Sequence, residues 1–469
     1  MEKMRIEKDM LGQFEVPINA LYGIHTARAR QNFNIANRPV HKALHRAYGQ
    51  VKLACARVNF SLGYLEERVF KALEAAAGEM IAGELSEHIV VDALQGGAGT
   101  SLHMNVNEVL ANRTLQILRE ELGSYDIVHP IDHINLHQST NDTFPTALKV
   151  AAIDLSKELE EELGLLFNVF QKKEQEFAHI VKVGRTQFQD AVPTTLGREM
   201  GAYAQALSRD RWRIFKCSER LRVVNLGGTA IGTGLGAPRQ FIFKVVEELR
   251  RISGFGLARA EDLVDCTQNT DAFAETSGYL KTVAVNLQKI GRDLRFLSSG
   301  PNAGISELQL PRRQAGSSIM PAKVNPVIPE AVQQAAMMVM ALDGLLTQAC
   351  GLGHLELNPF MPLIADSLLN SFSLLTRAVS TLNHNCVSQL AANEDVCRQH
   401  VFETTAVATI LVDELGYEKV QDIVSRSEQR KTTLKEVVLT DGLMTEEEFE
   451  SLLSPERVCR LGSPAKERK

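Results

Sequence analysis

Four short segments crowd hydroxyls, amides and glycines into places where a helical protein would otherwise put Leu and Ala. The first is GGAGTSLHMNVNEV at 96–109, with Thr100, Ser101, Asn105, Asn107 and Glu108. The second is HQSTND, with Ser139, Thr140, Asn141 and Asp142, and the third is GRTQFQDAVP, with Arg185, Thr186, Gln187, Gln189 and Asp190. The fourth is GSSIMPAKVNPVIPE, with Ser317, Ser318, Lys323, Asn325 and Glu330. Hydroxyls and amides supply many hydrogen-bond donors and one lysine supplies a compact positive charge, a combination suited to a small dicarboxylate. Each segment alone also has a plainer reading, because Ser, Thr, Asn and Asp cluster at helix caps and turns. The fourth is the hardest to reduce to a turn. Gly316 ahead of two serines favours a loop with accessible N–H groups able to hold a developing oxyanion, while Pro321 and Pro326 restrict the chain around Lys323 and Asn325.

Other patterns carry less. His129, His133 and His137 stand at fourfold spacing that would align metal ligands on a helix, but Pro130 and the polar run disfavour a helix there, and no metal site is expected. GTGLG at 232–236 lacks the preceding strand and later acidic residue of a dinucleotide-binding unit and reads as a flexible loop. Trp212 and the run Met337–Met340 read as packing, and His41 with His45 as a partly exposed helical face.

Long helices must position these segments. Leu148, Ala151, Ala152, Leu155, Leu159, Leu163, Leu166 and Phe170 recur at helical spacing, and comparable patterns follow at 195–222, 268–298, 327–350 and 362–389. Helices this long bundle or pack with other subunits. Alternating strand patterns are rare, the clearest being 221–225, so the expected fold is all-α. Polar breaks near HPIDHINLHQSTNDTFP and AANEDV suggest three domains: an N-terminal helical domain over 1–141, a central long-helix bundle over 142–395, and a small C-terminal helical domain over 396–469. The last holds a capping box from Thr445 to Glu448 and ends in the polar SPAKERK.

At 469 residues the chain is long enough for a large core in two or three units. Its formal charge of −6, from 51 basic and 57 acidic residues, gives no basic field for nucleic acid or an anionic membrane. A small-molecule substrate is the better expectation. The charged start has no secretion-signal core, and no apolar stretch reaches membrane-spanning length, since AAMMVMALDGLL is broken by Asp343. Seven cysteines without a CxxC pair suit reduced, buried thiols in a cytoplasm.

Taken together, the four segments resemble the aspartase and class II fumarase family, from about DMLGQFEVP at residue 9 to about residue 395, with GSSIMPAKVNP similar to the family signature nearly letter for letter. The resemblance implies a three-domain all-α protomer packed as a homotetramer, each active site assembled from three subunits and using no organic cofactor. It implies Ser317 as the base that removes the proton beside the substrate's β-carboxylate, giving an aci-carboxylate dianion. Thr100, Ser139, Thr140 and Ser318 match residues that bind the β-carboxylate, and Thr186, Lys323 and Asn325 those at the α-carboxylate. Asn141 and Gln187 match positions near the amine. Donors aimed at the growing charge contribute about 3 kcal/mol each at comparable oxyanion sites.

Within the family, elimination of ammonia from L-aspartate competes with elimination of water from malate. IHTARA at 24–29, GTS at 99–101 and Thr140 in QSTND are similar to the ammonia-eliminating members, where fumarases more often read QTQR, GTQS and serine. Fumarases also carry a histidine where this chain has Gln187, paired with a glutamate matching Glu330. Glutamine cannot donate and recover a proton near neutral pH. Hydroxide leaves better with an acid, whereas an ammonium group already carries its extra proton. The reading is therefore reversible conversion of L-aspartate to fumarate, with malate dehydration, a lyase for a related amino acid, and a silent structural oligomer as alternatives. The chain departs from the family at His103, where Asn is usual, at Leu136, where Lys is usual, at ELNPFMP (356–362), and at ILVDELGY in place of an LNPxIGY run.

Overall fold

The computed structural model describes residues 3–462, so the terminal SPAKERK lies outside the described residues. Five long helices dominate, Thr140–Glu176, Leu196–Leu221, Asp271–Leu297, Val327–Gly351 and Met361–Asn385. They follow the apolar periodicity to within a few residues, and all eight apolar residues named for the first are buried. The last ends earlier than its pattern because the Arg313 guanidinium takes the carbonyls of His384 and Asn385, satisfying helix-end acceptors that would otherwise be orphaned.

The described residues form two compact units. One holds residues up to Glu161, Trp212–Val285 and Ala335–Thr376; the other holds Glu162–Arg211, Asn286–Gln334 and residues from Arg377 on. Each long helix contributes part of its length to each unit. The units draw on interleaved stretches of chain. The two polar breaks lie at helix starts, at Thr140 and at Glu394.

Thr140–Glu176 carries Pro145 near its start. Proline has no N–H for the carbonyl of Asn141, four residues back. The Asn225 side-chain amide donates to that carbonyl at 3.0 Å, so the helix begins without an orphaned acceptor. In the second unit Val183, Val401, Leu411, Ile423, Val438 and Phe449 form a separate core for the C-terminal helices, and the Thr445–Glu448 capping box is present.

Several features differ from expectation. Among the described residues four two-stranded ladders accompany the helices, including the hairpins Met4–Asp9 with Gly12–Pro17 and Val181–Thr186 with Gln189–Thr195; of their strands only Val223–Val224 falls in the anticipated one. GTGLG is a loop anchored at its first glycine, where a Cβ on Gly232 would lie 2.4 Å from the Leu263 carbonyl oxygen, while Leu235 is exposed. Trp212 is 63% exposed, and Met337 and Met338 are about half exposed. All seven cysteines are free, and burial pushes the thiols of Cys217, Cys386 and Cys397 up to about 12.

His41 caps helix Lys42–Ser61, but His45 is buried, not partly exposed. Neither of its ring nitrogens has a hydrogen-bond partner among the described residues. Burial first, with the nearby Lys42 adding to it, holds its pKa down to about 4. The unfolded chain takes this proton near pH 6.5, so stability from neutral His45 is complete above that pH and lost as pH falls toward 4. The difference approaches about 3 kcal/mol. His45→Leu should therefore gain stability relative to the parent on acidification from pH 7 to 4.5, read from thermal melts. Equal pH responses in both proteins would show that this histidine does not couple protons to folding.

Candidate active site

The first unit holds Thr100, Ser139, Thr140 and Asn141 at two helix starts. Gly99 precedes helix Thr100–Leu118 with φ +97°, and a Cβ there would lie 2.1 Å from the Phe144 ring. Only glycine fits both the left-handed backbone and this approach. The Leu102 N–H donates to Gln95, while the Thr100 hydroxyl donates to the Gly97 carbonyl at 2.8 Å. In this conformation the Thr100 proton is already spent on the backbone.

Ser139 caps the next helix. Its hydroxyl accepts the Asn141 N–H, while Asp142 accepts the Ser139 N–H at 3.0 Å. The plainer reading as a cap is thus correct for this serine, yet its own proton stays available to a ligand. Asp142 is fully buried and also accepts the N–H groups of Gly227 and Thr229, and the Asn141 amide donates to the Ala230 carbonyl. Burial raises Asp142 to about 6 against these donors. This carboxylate fastens the 227–230 turn to the helix start.

Asn105 and Glu108 of the first segment serve the interior instead. Asn105 bonds Val90 and His88. Glu108 accepts the N–H groups of Gly23, His25 and Thr26 and the Thr26 hydroxyl, while Glu7 accepts that of Ile24. Two buried carboxylates thereby satisfy the start of helix Ile24–Asn32 and place IHTARA. Burial raises Glu108 to about 7, opposed by its donors.

Sequence reasoning flagged His103 only as a departure and missed its partners. Lys52, buried from helix Lys42–Ser61, lies 2.7 Å from His103 Nε2 and donates to Asn135 and Gln138; His103 Nδ1 lies 2.8 Å from the Thr140 hydroxyl. A lone lysine in an apolar run, as in GQVKLACA, was the available signal.

The second unit holds the remaining candidates. Gln187 and Phe188 form the two-residue turn of a hairpin, both left-handed, with φ 54° and 63°. Such turns favour Asn-Gly, so this pair is held under strain by its surroundings. Phe188 meets the Phe296 edge at 5.1 Å and Arg292 lies over its ring. Thr186 and Gln187 are exposed at the tip. Below them, buried Glu307 receives Arg185, Lys182 and His400. Burial alone would raise its carboxyl, but these partners hold it below the ordinary range. Asp190 accepts from Thr404.

In the fourth segment the Gly316 N–H donates to the Lys323 carbonyl at 2.7 Å and the Asn325 amide donates to the Gly316 carbonyl at 2.8 Å. A Cβ at Gly316 would lie 2.8 Å from that Lys323 oxygen. The neck of the loop is pinned, and Ser317 stands at its base. Its hydroxyl accepts the N–H groups of Ile319 and Met320, at 3.2 and 2.9 Å. Ser318 and Lys323 are exposed, and Lys323 pairs with no carboxylate among the described residues. Glu330 lies 3.5 Å from Arg295. One unit therefore gathers Thr100 and Ser139–Asn141, and the other Thr186, Gln187, Ser317, Ser318, Lys323, Asn325 and Glu330. Among the described residues no group of His, Cys, Asp and Glu is arranged to hold a metal, and no helix is long and apolar enough to cross a membrane.

Comparison with known proteins gives consistent matches. The lyase family profile covers residues 12–341, and a fumarase C C-terminal profile covers 407–460. An aspartate ammonia-lyase from a Bacillus species is 41% identical, over 98% of each chain. The solved structure of a fumarate lyase:delta crystallin from Brucella melitensis, bound to cobalt, is 42% identical with TM-score 0.94, covering 98% of this chain and 100% of that one. A class II fumarase from Schistosoma mansoni is 31% identical with TM-score 0.90, covering 97% and 99%.

Proposed function

The chain belongs to the lyase family, among its carbon–nitrogen lyases, and we propose that it removes ammonia reversibly from L-aspartate to give fumarate, with Ser317 as base. The observation that carries this reading is the pinned loop, which keeps a serine hydroxyl beside two backbone N–H donors with, across its neck, a lysine that pairs with no carboxylate among the described residues. Those donors favour the Ser317 alkoxide, so the base can form without a neighbouring histidine. The proton leaves the carbon beside the β-carboxylate, and charge gathers on that carboxylate. Ser139, Thr140 and Ser318, together with Thr100 once its hydroxyl turns from the backbone, hold it. Lys323, Thr186 and the remaining N–H of the Asn325 amide fix the α-carboxylate, and Asn141 with Gln187 receives the amine. Gln187 at the hairpin tip favours ammonia over water as leaving group, since it supplies no acid.

The complete site forms in a homotetramer, each pocket taking residues from three subunits. Exposed Trp212, Phe215, Met337, Met338 and Leu345 on the long helices supply apolar surface for that assembly. In this reading 1–141, 142–395 and 396–469 are the functional divisions, the enzyme needs no cofactor or resident metal, and it works in the cytoplasm without nucleic-acid or membrane partners. The test is ultraviolet absorbance of fumarate formed by purified protein. L-Aspartate should yield it and L-malate should not. Fumarate from malate alone would mean a fumarase, and none from either a silent scaffold.

A further inference from the structure

The polarity of the Thr140 hydroxyl is set by a buried chain that begins at Lys52. Three acceptors face the Lys52 nitrogen: Gln138 Oε1 at 2.8 Å, Asn135 Oδ1 at 3.2 Å and His103 Nε2 at 2.7 Å. The two amides cannot turn over. Gln138 commits its NH2 to the carbonyls of Ile134 and Leu136, and Asn135 commits its own to the Gln138 carbonyl. An ammonium at Lys52 has three hydrogens and no lone pair, so with two given to these oxygens the third points at His103 Nε2. That nitrogen must then be the bare one. Burial pulls Lys52 down to about 7 against the charge of Asp142, so the ammonium and this arrangement belong to pH below that value, while burial with the facing lysine keeps the His103 ring neutral.

A neutral ring with a bare Nε2 carries its hydrogen on Nδ1, which lies 2.8 Å from the Thr140 hydroxyl oxygen. Thr140 therefore accepts from His103. Its own hydrogen is left to point outward. Thr143 does not compete for the ring, because its hydroxyl donates to the Ser139 carbonyl at 2.8 Å and sits 3.4 Å from Nε2. Tyr48 stacks on His103 at 5.8 Å and limits its rotation.

We propose that His103 is a positioning residue: held in one tautomer by Lys52, it compels Thr140 to present a hydrogen-bond donor to the substrate carboxylate. This rests on the reading that Thr140 meets the β-carboxylate. A hydroxyl turned the other way would offer that anion a lone pair. The effect should grow as the carboxylate becomes a dianion, so it falls more on kcat than on KM.

The test compares His103→Gln, His103→Asn, Thr140→Val and the His103→Gln/Thr140→Val double variant in the full-length enzyme, with fumarate formation followed and melting temperatures recorded. Glutamine reaches Lys52 but has no donor at the Nδ1 position, so kcat/KM should fall about tenfold, the size expected for losing one hydrogen bond to a charged group. Asparagine keeps an N–H at that position and should stay within about twofold of the parent. In the Thr140→Val background the glutamine change should add nothing. Full additivity, or an asparagine variant as impaired as the glutamine one, would overturn the proposal. An unimpaired Thr140→Val would instead remove Thr140 from the substrate site, and the inference with it. If His103→Gln does not fold, His103→Asp replaces it: an acceptor at the same position must turn the Thr140 hydrogen inward. Its non-additive loss with Thr140→Val supports the proposal, and full additivity refutes it.

Discussion

Ser317→Ala should lower kcat for L-aspartate roughly a thousandfold, within the span usual for a positioned acid or base, while leaving the sedimentation of the protein unchanged. The hydroxyl is partly exposed and contributes no core packing. It accepts two N–H groups of its own turn, and the pin at Gly316, Lys323 and Asn325 keeps the loop closed without it. Folding should thus lose about 1 kcal/mol at most. The chemistry loses its proton acceptor. Turnover within tenfold of the parent, at unchanged circular dichroism and sedimentation, would remove Ser317 as base. A mixing experiment extends the test. If pockets are shared among subunits, refolding Ser317→Ala together with Thr140→Val should regenerate some pockets with both native residues. Activity should then exceed that of either parent variant, whereas an unmixed sum would speak for pockets built within one chain.

Lys323→Ala should reduce kcat/KM on the order of a hundredfold, as expected when a charge-assisted contact to an anion is lost. Thermal stability should stay within a degree or two. The side chain is exposed and has no ion-pair partner among the described residues, so its charge is not committed to the fold. Lys323→Arg should rescue little, because a planar fork does not occupy the place of a compact ammonium. A loss of melting temperature with normal kinetics would make Lys323 a structural residue.

The helices were legible because burial leaves a periodic trace: Leu148 to Phe170 are apolar every three or four residues and lie on the buried side. The fourth segment was legible because its glycine and prolines sit among residues with no reason to be in a turn. The hairpins left no such trace. The 187–188 turn uses Gln-Phe where a turn normally announces itself with Asn or Gly, and the Met4–Asp9 strand alternates charged residues with few apolar ones. Local composition also could not show that Asn105 and Glu108 serve backbone distant in sequence. Trp212 and Met337 show the complementary limit. Apolar character predicts burial but does not say whether the burying surface belongs to the same chain, and within this chain both remain exposed.

The Gln187–Phe188 turn sets a conflict for anyone breeding this protein for heat tolerance. Two non-glycine residues in left-handed backbone cost roughly 1–2 kcal/mol each, and Asn-Gly would recover much of that. Selection on survival temperature alone will therefore favour replacing Gln187, the side chain proposed above to meet the departing amine. Thermostable descendants should be screened for turnover at every round, since the easiest gain in robustness lies where the reaction can least spare a change.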